Sequence, residues 1–131
     1  MRILHPEGWV APRGYANGVE AAGRLVFVAG QIGWNPETGV FETDDLVRQV
    51  EIALRNISAV LRSAGAGPEH VTRMTWYLTD RAAYLEHSRE IGTAYRMVFG
   101  RHFPAMSAVM VAGLVEPRAR VEIEATAVIP D

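Results

Sequence analysis

The sequence predicts an α+β fold of two layers, in which two helices cover one face of a mixed β-sheet. Several short segments alternate apolar and polar residues, two longer segments carry apolar residues at helical spacing, and Gly and Pro separate them. In chain order these segments read β-β-β-α-β-α-β-β. The 131 residues suit one domain, so we expect a single domain over residues 1–131. The sheet face without helices would be buried most simply by another copy of the chain.

The first part of the chain contains three predicted strands. Residues 1–4 form a short first strand, and the Pro- and Gly-rich stretch after them indicates an ordered loop. Two further strands meet at Gly23. The second of these contains the continuous apolar run 25–28, which is typical of a central strand that is covered on both faces.

Helical periodicity identifies two helices. The first is predicted to begin with Thr43 as its N-cap and to stop at Gly65. Its apolar face consists of Leu46, Val50, Ala53, Leu54, Ile57, Leu61 and Ala64. The second is predicted to run without a break from its cap Asp80 to about Phe99. Its apolar face consists of Tyr84, Ile91, Ala94, Tyr95 and Val98.

Three strands are predicted in the second half of the chain. Residues 71–79 are rich in β-branched and aromatic side chains, residues 106–114 follow Pro104, and the last strand begins at Arg120. In the last strand apolar residues alternate with Glu122 and Glu124, which therefore share one face about 7 Å apart. These glutamates form a solvated face, or one of them takes part in chemistry.

Composition and charge narrow the class of protein. Apolar residues make up 49% and charged residues 21%, which supports a real core and argues against disorder. The net charge of −2, without a basic run, argues against a nucleic-acid partner. We expect no membrane segment and no signal peptide, so that a cytoplasmic protein is the default. With no cysteine and four scattered histidines, we expect no metal site and no cofactor.

Six segments, taken together in their order and spacing, resemble the Rid family of RidA/YjgF-like enamine/imine deaminases. They are APRGYANGV (11–19), LVFVAGQIGWNPETG (25–39), ALRNISAVLRSAGAG (53–67), VTRMTWYLTD (71–80), FPAMSAVMVAGL (103–114) and VEIEATAV (121–128). The resemblance implies a chorismate-mutase-like fold, a small-molecule substrate, and a homotrimer with ligand clefts between neighbouring subunits.

The resemblance also implies site residues, position by position. Tyr15 matches the tyrosine of the family motif GPYS. Glu122 matches the first glutamate of the motif EIEA, which would place it near the ligand and the deaminating water. The backbone of Gly30 and Gln31 follows the SGQ turn of the family.

The sequence departs from the family pattern at three positions. Met106 replaces the arginine of the PARS motif, which pairs with the substrate carboxylate, and Ala29 replaces the serine of SGQ. Gly92 takes the place of an asparagine if Tyr95 holds the place of the family's tyrosine. Methionine offers no guanidinium fork, so the cleft should be more apolar than in the family. We therefore predict a substrate that is bulkier or less acidic than small α-imino acids.

The residues expected to line the cleft, where they converge, are Tyr15, Trp34, Trp76 and Met106. Another arginine would restore carboxylate recognition, and the candidates are Arg13, Arg101 and Arg120. His102 is the one histidine near the expected cleft and is a candidate proton donor. For Glu124 we expect a salt bridge, with Arg120 or with a neighbouring subunit.

Two functions remain open at this point. The first is a trimeric, cytoplasmic Rid-like hydrolase that deaminates an enamine or imine, with Glu122 handling the water. The second is a binding or regulatory module that keeps the cleft without the chemistry. A ribonuclease or translation inhibitor, an activity attributed to some relatives, is disfavoured by the acidic net charge.

Overall fold

The computed structural model of the chain covers residues 1–131 and confirms the two-layer α+β class. The strands are β1 (Arg2–Leu4), β2 (Gly18–Glu20), β3 (Arg24–Ile32), β4 (Val71–Leu78), β5 (Ala105–Met110) and β6 (Val121–Ile129). The helices are α1 (Leu46–Ser63), α2 (Arg81–Glu86) and α3 (Ser88–Phe99), and a 3₁₀ turn over Pro68–His70 precedes β4. None of the three helices combines the length and hydrophobicity needed to cross a bilayer.

Four strands form the main sheet in the order β3-β6-β4-β5, and β1 pairs with β2 in a separate hairpin. β6 runs antiparallel to both of its neighbours, whereas β4 and β5 are parallel. Parallel neighbours need a crossover connection, which α2 and α3 provide. The strand order leaves β3 and β5 at the two edges of the sheet.

The prediction that residues 25–28 form a central strand covered on both faces is wrong for the single chain. β3 is an edge strand, with Leu25 60% and Phe27 74% exposed. Successive side chains of a strand point to opposite faces, so only Val26 and Val28 face the helices. The continuous apolar run therefore leaves an apolar stripe on the open face of the sheet.

The first helix begins two residues later than predicted. Asp45 is the N-cap, because its side chain accepts a hydrogen bond from the backbone N–H of Arg48 at 2.8 Å. Thr43 instead accepts a hydrogen bond from the N–H of Asp45 through Oγ1, and so shapes the turn that leads into the helix. The predicted stop is confirmed by Gly65, whose φ of 73° lies in the left-handed region.

Two other predicted boundaries are wrong. The second helix is two helices, since His87 adopts φ −103° and ψ 20° between α2 and α3. A break of one residue hardly disturbs hydrophobic spacing, so periodicity did not detect it. The strand predicted over 106–114 ends at Met110, because its partner β4 ends at Leu78.

The core lies between the sheet and the helices α1 and α3. Fully buried core side chains include Val50, Leu54, Ile57, Leu61, Met74, Leu78, Val121 and Ile123. In β6 the odd-numbered residues are buried and the even-numbered ones are half-buried, as the alternation predicted. Glu122 and Glu124 therefore lie on the open face of the sheet, opposite the helices.

Candidate functional site

A cavity of about 440 Å³ lies beside the edge strand β5, on the side of the sheet that carries the helices. Its lining residues are Arg13, Gly14, Tyr15, Trp76, Tyr84, Ser88, Ile91, Gly92, Tyr95, Arg96, Phe103, Met106, Ser107 and Ala108. Its volume falls in the range of about 300–1,000 Å³ that is typical of small-molecule sites. We refer to it below as the helix-side cavity.

The loop before β2 forms one wall of this cavity. Buried Ala16 donates its backbone N–H to the carbonyl of Pro104 at 2.9 Å and bridges to Ala105, the first residue of β5. This anchor holds Arg13 and Tyr15 at the edge of the sheet, where Tyr15 is 40% exposed. Two predicted residues of the cleft, Tyr15 and one candidate arginine, are thus placed together by a short piece of strand pairing.

Strands β4 and β5 form the floor of the cavity. Their register pairs Met74 with Met106 and Trp76 with Ala108, so all four face the helices. Met106 packs against the core and also lines the cavity. Trp76 is 4% exposed, and its Nε1 is the one buried side-chain N or O atom without a hydrogen-bond partner in the chain. A buried donor without an acceptor costs about 1–3 kcal/mol, and an acceptor supplied by a ligand would remove that cost.

Aromatic rings form the inner wall. Tyr95 stacks on Phe103 with ring centroids 5.4 Å apart, and burial raises the pKa of its hydroxyl. That hydroxyl donates to the backbone carbonyl of His102. The ring of His102 is engaged elsewhere, since its Nε2–H donates to the carbonyl of Val71 at 2.7 Å. His102 does not line the cavity, so its position gives no support to the role of proton donor.

Helix α3 presents a stripe of side chains to the cavity at spacings of three and four residues. The stripe consists of Ser88, Ile91, Gly92, Tyr95 and Arg96. Helical spacing predicted Ile91 and Tyr95 on the apolar face, but it did not predict Arg96 as a cavity residue. The signal was present, because Arg96 follows Gly92 by four residues on the same face. Of the three arginines considered from the sequence, only Arg13 lines the cavity.

Glu122 lies on the open face of the sheet beside a β-bulge in β3. The pairing of β3 with β6 shifts between Val28 and Gln31, so that Ala29 and Gly30 interrupt the ladder. A Cβ at position 30 would overlap the Glu122 carboxylate, so a larger residue there would displace that side chain. Gln31 folds back over the bulge and donates from Nε2 to the carbonyl of Ala29 at 3.1 Å.

Glu124 has a different partner from the one predicted within the chain. Its carboxylate accepts a hydrogen bond from the Tyr77 hydroxyl at 2.5 Å, and this bond raises the pKa of Tyr77. Arg120 pairs with Asp80 at 3.6 Å, so the predicted Glu124–Arg120 bridge is not formed. Arg120 thus pairs with Asp80, the N-cap of α2, instead of with a carboxylate of its own strand.

The structure places the seven predicted site residues in three locations. The helix-side cavity contains Tyr15, Trp76 and Met106. The bulge on the open face brings together Gly30, Gln31 and Glu122. Trp34 lies in neither group, because it packs against Phe41 in a second, smaller hydrophobic cluster, with ring centroids 6.0 Å apart.

The sequence of the chain is similar to those of several known proteins. Residues 9–129 match the sequence model of the family described as Endoribonuclease L-PSP. The chain is 36% identical to Protein DfrA of Myxococcus xanthus over 120 residues, which cover 87% of this chain and 84% of that protein. It is 30% identical to the 2-iminobutanoate/2-iminopropanoate deaminase of Homo sapiens over 105 residues, which cover 80% and 73%.

Solved structures are also similar to the fold of this chain. The Yersinia pestis protein YyfB, described as a conserved Rid family protein of unknown function, superposes with a TM-score of 0.87 at 32% identity over 98% of each chain. Escherichia coli TdcF, solved with bound serine, superposes with a TM-score of 0.70 at 31% identity, over 98% of this chain and 99% of TdcF. Imine deaminases are thus among the relatives at the level of the family, and the chain itself belongs to the Rid (YjgF) family.

Proposed function

We propose that this protein is a hydrolase that deaminates a reactive enamine or imine, and that its substrate is bulkier or less acidic than small α-imino acids. The observation that carries the proposal is the position of Met106, whose side chain lines the helix-side cavity. The family resemblance implies an arginine at this position. A thioether provides apolar, polarisable surface and no partner for a carboxylate bonded to the imine carbon.

The size and lining of the cavity support a bulky substrate. A volume of about 440 Å³ equals the share of roughly fifteen water molecules at about 30 Å³ each, which is more than a small imino acid fills. Rings of Trp76, Tyr95 and Phe103 surround this space. They suit a planar or aromatic substrate body better than a short aliphatic one.

We further propose that the complete site lies between subunits of a homotrimer. In one chain Met106 faces the helices, whereas Glu122 lies on the opposite face of the same sheet. A ligand in the helix-side cavity would need a carboxylate from a second chain, and the bulge at Gly30 is the surface that would supply it. The exposed side chains of Leu25 and Phe27 give that face an apolar surface for association.

The proposed reaction adds one water molecule to a C=N bond. Glu122 accepts a proton from the attacking water as the C–O bond forms, which gives a tetrahedral carbinolamine. It returns that proton to the nitrogen and then passes the remaining hydroxyl proton to the same nitrogen as the C–N bond breaks, so that a carbonyl compound and ammonia leave. An enamine first takes up a proton at carbon to become the imine. Backbone groups freed by the bulge at Gly30 and Gln31 would orient the reacting atoms.

The test is ammonia release from freshly generated imines and enamines, ranging from small α-imino acids to aromatic and uncharged members. We expect turnover of the bulky members, and a loss of at least about 100-fold in kcat for Glu122→Gln with ligand affinity retained. Glu124→Gln is the matched control, because Glu124 lies on the same strand and face. Equal activity of Glu122→Gln and the wild type, or preference for small α-imino acids, would refute the proposal.

Met106 also favours a second candidate, a small-molecule binding or regulatory module that keeps the cavity without the chemistry. Methionine at this position cannot pair with a carboxylate next to the reacting carbon. The substrate that the family resemblance implies would therefore bind less tightly. A binding module would bind aromatic ligands without turnover in either form of residue 122. The ammonia assay with Glu122→Gln therefore separates the two candidates directly.

A further inference from the structure

We propose that Arg13 and Arg96 form a carboxylate-binding pair at the mouth of the helix-side cavity. The substrate class is then an apolar or aromatic enamine or imine that carries an acidic group away from the reacting carbon. This inference rests on the proposed function and specifies the substrate of the same cavity. In this proposal the anion is recognised by two arginines, one on a loop and one on a helix, instead of by the residue at position 106.

The charge of the lining is the first argument. Two of the fourteen lining residues are arginines and none is Asp or Glu. The chain as a whole has 15 acidic residues against 13 basic ones, so a cavity without carboxylates differs in sign from the rest of the protein. Positive side chains around a partly apolar cavity attract and orient an anionic ligand.

Both arginines also lack a carboxylate partner in the chain. Arg118 and Arg120 are paired, with Asp44 at 2.8 Å and with Asp80 at 3.6 Å respectively. Arg13 and Arg96 form no ion pair, and both are exposed at the rim of the cavity. Their guanidinium groups therefore remain available for a ligand, whereas the candidate Arg120 is already engaged.

The Arg96 guanidinium lies against its own helix, α3. A Cβ at position 92 would lie 3.3 Å from Nη1 of Arg96, which means that the guanidinium lies directly over Gly92. Nη2 also donates to Oγ1 of Thr93 at 3.5 Å. The absence of a side chain at Gly92 thus makes room for a guanidinium near the place where the family resemblance implies an asparagine. Arg96 brings a planar fork to that place, which suits a carboxylate.

The two parts of the lining define the shape of the ligand. Trp76, Phe103 and Met106 supply the apolar interior, and the two arginines lie at the exposed rim. In an α-imino acid the carboxylate is bonded directly to the imine carbon, so it would lie against Met106 rather than at the rim. A ligand with its acidic group several bonds from that carbon satisfies both parts.

Binding of 3-phenylpropionate, compared with its uncharged amide, tests this pair without any need for turnover. In calorimetric titrations at about 150 mM salt we expect the wild type to bind the carboxylate more tightly than the amide. Arg13→Gln and Arg96→Gln should each weaken carboxylate binding by roughly tenfold and leave amide binding within about twofold. Both positions are exposed, and glutamine is a good helix former at position 96, so we expect both variants to fold.

Two further variants serve as controls. Arg101→Gln makes the same change of charge at an exposed arginine outside the cavity and should not alter binding. Arg96→Lys keeps the charge but removes the planar fork, and should give an intermediate loss. If Arg101→Gln weakens binding as much as Arg96→Gln does, the loss reflects the overall charge of the protein and not a specific contact with Arg13 and Arg96.

The proposal is overturned if the wild type binds the carboxylate and the amide alike, or if both glutamine variants bind the carboxylate as the wild type does. Either result would leave the proposed deaminase activity intact, because that activity is measured by ammonia release and depends on Glu122. Conversely, an inactive protein that shows the expected pattern of binding would retain the arginine pair and refute the enzyme.

Discussion

The helix-side cavity and the open face of the sheet contrast in almost every physical respect. The cavity is concave and aromatic, carries arginines and no carboxylate, and rests on the buried Trp76 and the partly buried Met106. The open face exposes Phe27 and carries the two carboxylates of β6. Each region holds three of the seven predicted site residues. Under the proposed function the opposite faces of one sheet contribute to one site, which therefore needs a second chain.

The largest expected effect concerns the one-sided core. Ile123 is fully buried beneath the helices, so Ile123→Ala should lower the free energy of unfolding by about 2–5 kcal/mol. Val128 lies on the same strand but faces the open side, half-buried, and Val128→Ala should cost about 1 kcal/mol or less. Urea unfolding at two protein concentrations measures both and separates the contribution of assembly. If both variants lost the same free energy of unfolding at both protein concentrations, the core would not be confined to the helix side of the sheet.

The next effect concerns the apolar stripe of the open face. Phe27→Glu should prevent assembly, because burial of a carboxylate against an apolar surface costs more than the 1.4 kcal/mol that corresponds to tenfold in the dissociation constant. Sedimentation velocity should then show a monomer with a native circular dichroism spectrum. Met97→Glu, at an exposed position of α3 on the helix side, is the matched control. If the Phe27→Glu variant still forms a trimer, the open face is not the surface through which the chains associate.

The smallest effect is a dependence on pH from the open face. The hydrogen bond to Glu124 raises the pKa of Tyr77, so the folded chain holds this proton more tightly than the unfolded chain. The stabilisation is complete below about pH 10 and is lost as the pH rises above that value. Urea midpoints of wild type and Tyr77→Phe should therefore differ at pH 8 and converge at high pH. A constant difference would show that the hydroxyl does not titrate with folding.

Much of the fold and part of the site could be predicted from local patterns. The alternation in β6 correctly placed Glu122 opposite the buried face, and helical spacing identified the buried face of α1. The predictions failed where a distant partner decides the outcome. The run from Leu25 to Val28 is an edge strand because β6, about a hundred residues later, pairs on one side of it. Arg96 was missed because its role depends on a cavity wall formed by β5 and the loop before β2.

By itself the sequence determined the class of fold, the faces of most elements and the membership of the Rid family. These depend on residue type and spacing along the chain, which are local quantities. Only the tertiary structure decided that Tyr15 meets Met106, that Gly30 lies against Glu122, and that these two pairs lie on opposite faces of the sheet. The reason is that strand order, register and bulges arise from pairing between distant segments, and a shift of one residue would exchange the two faces.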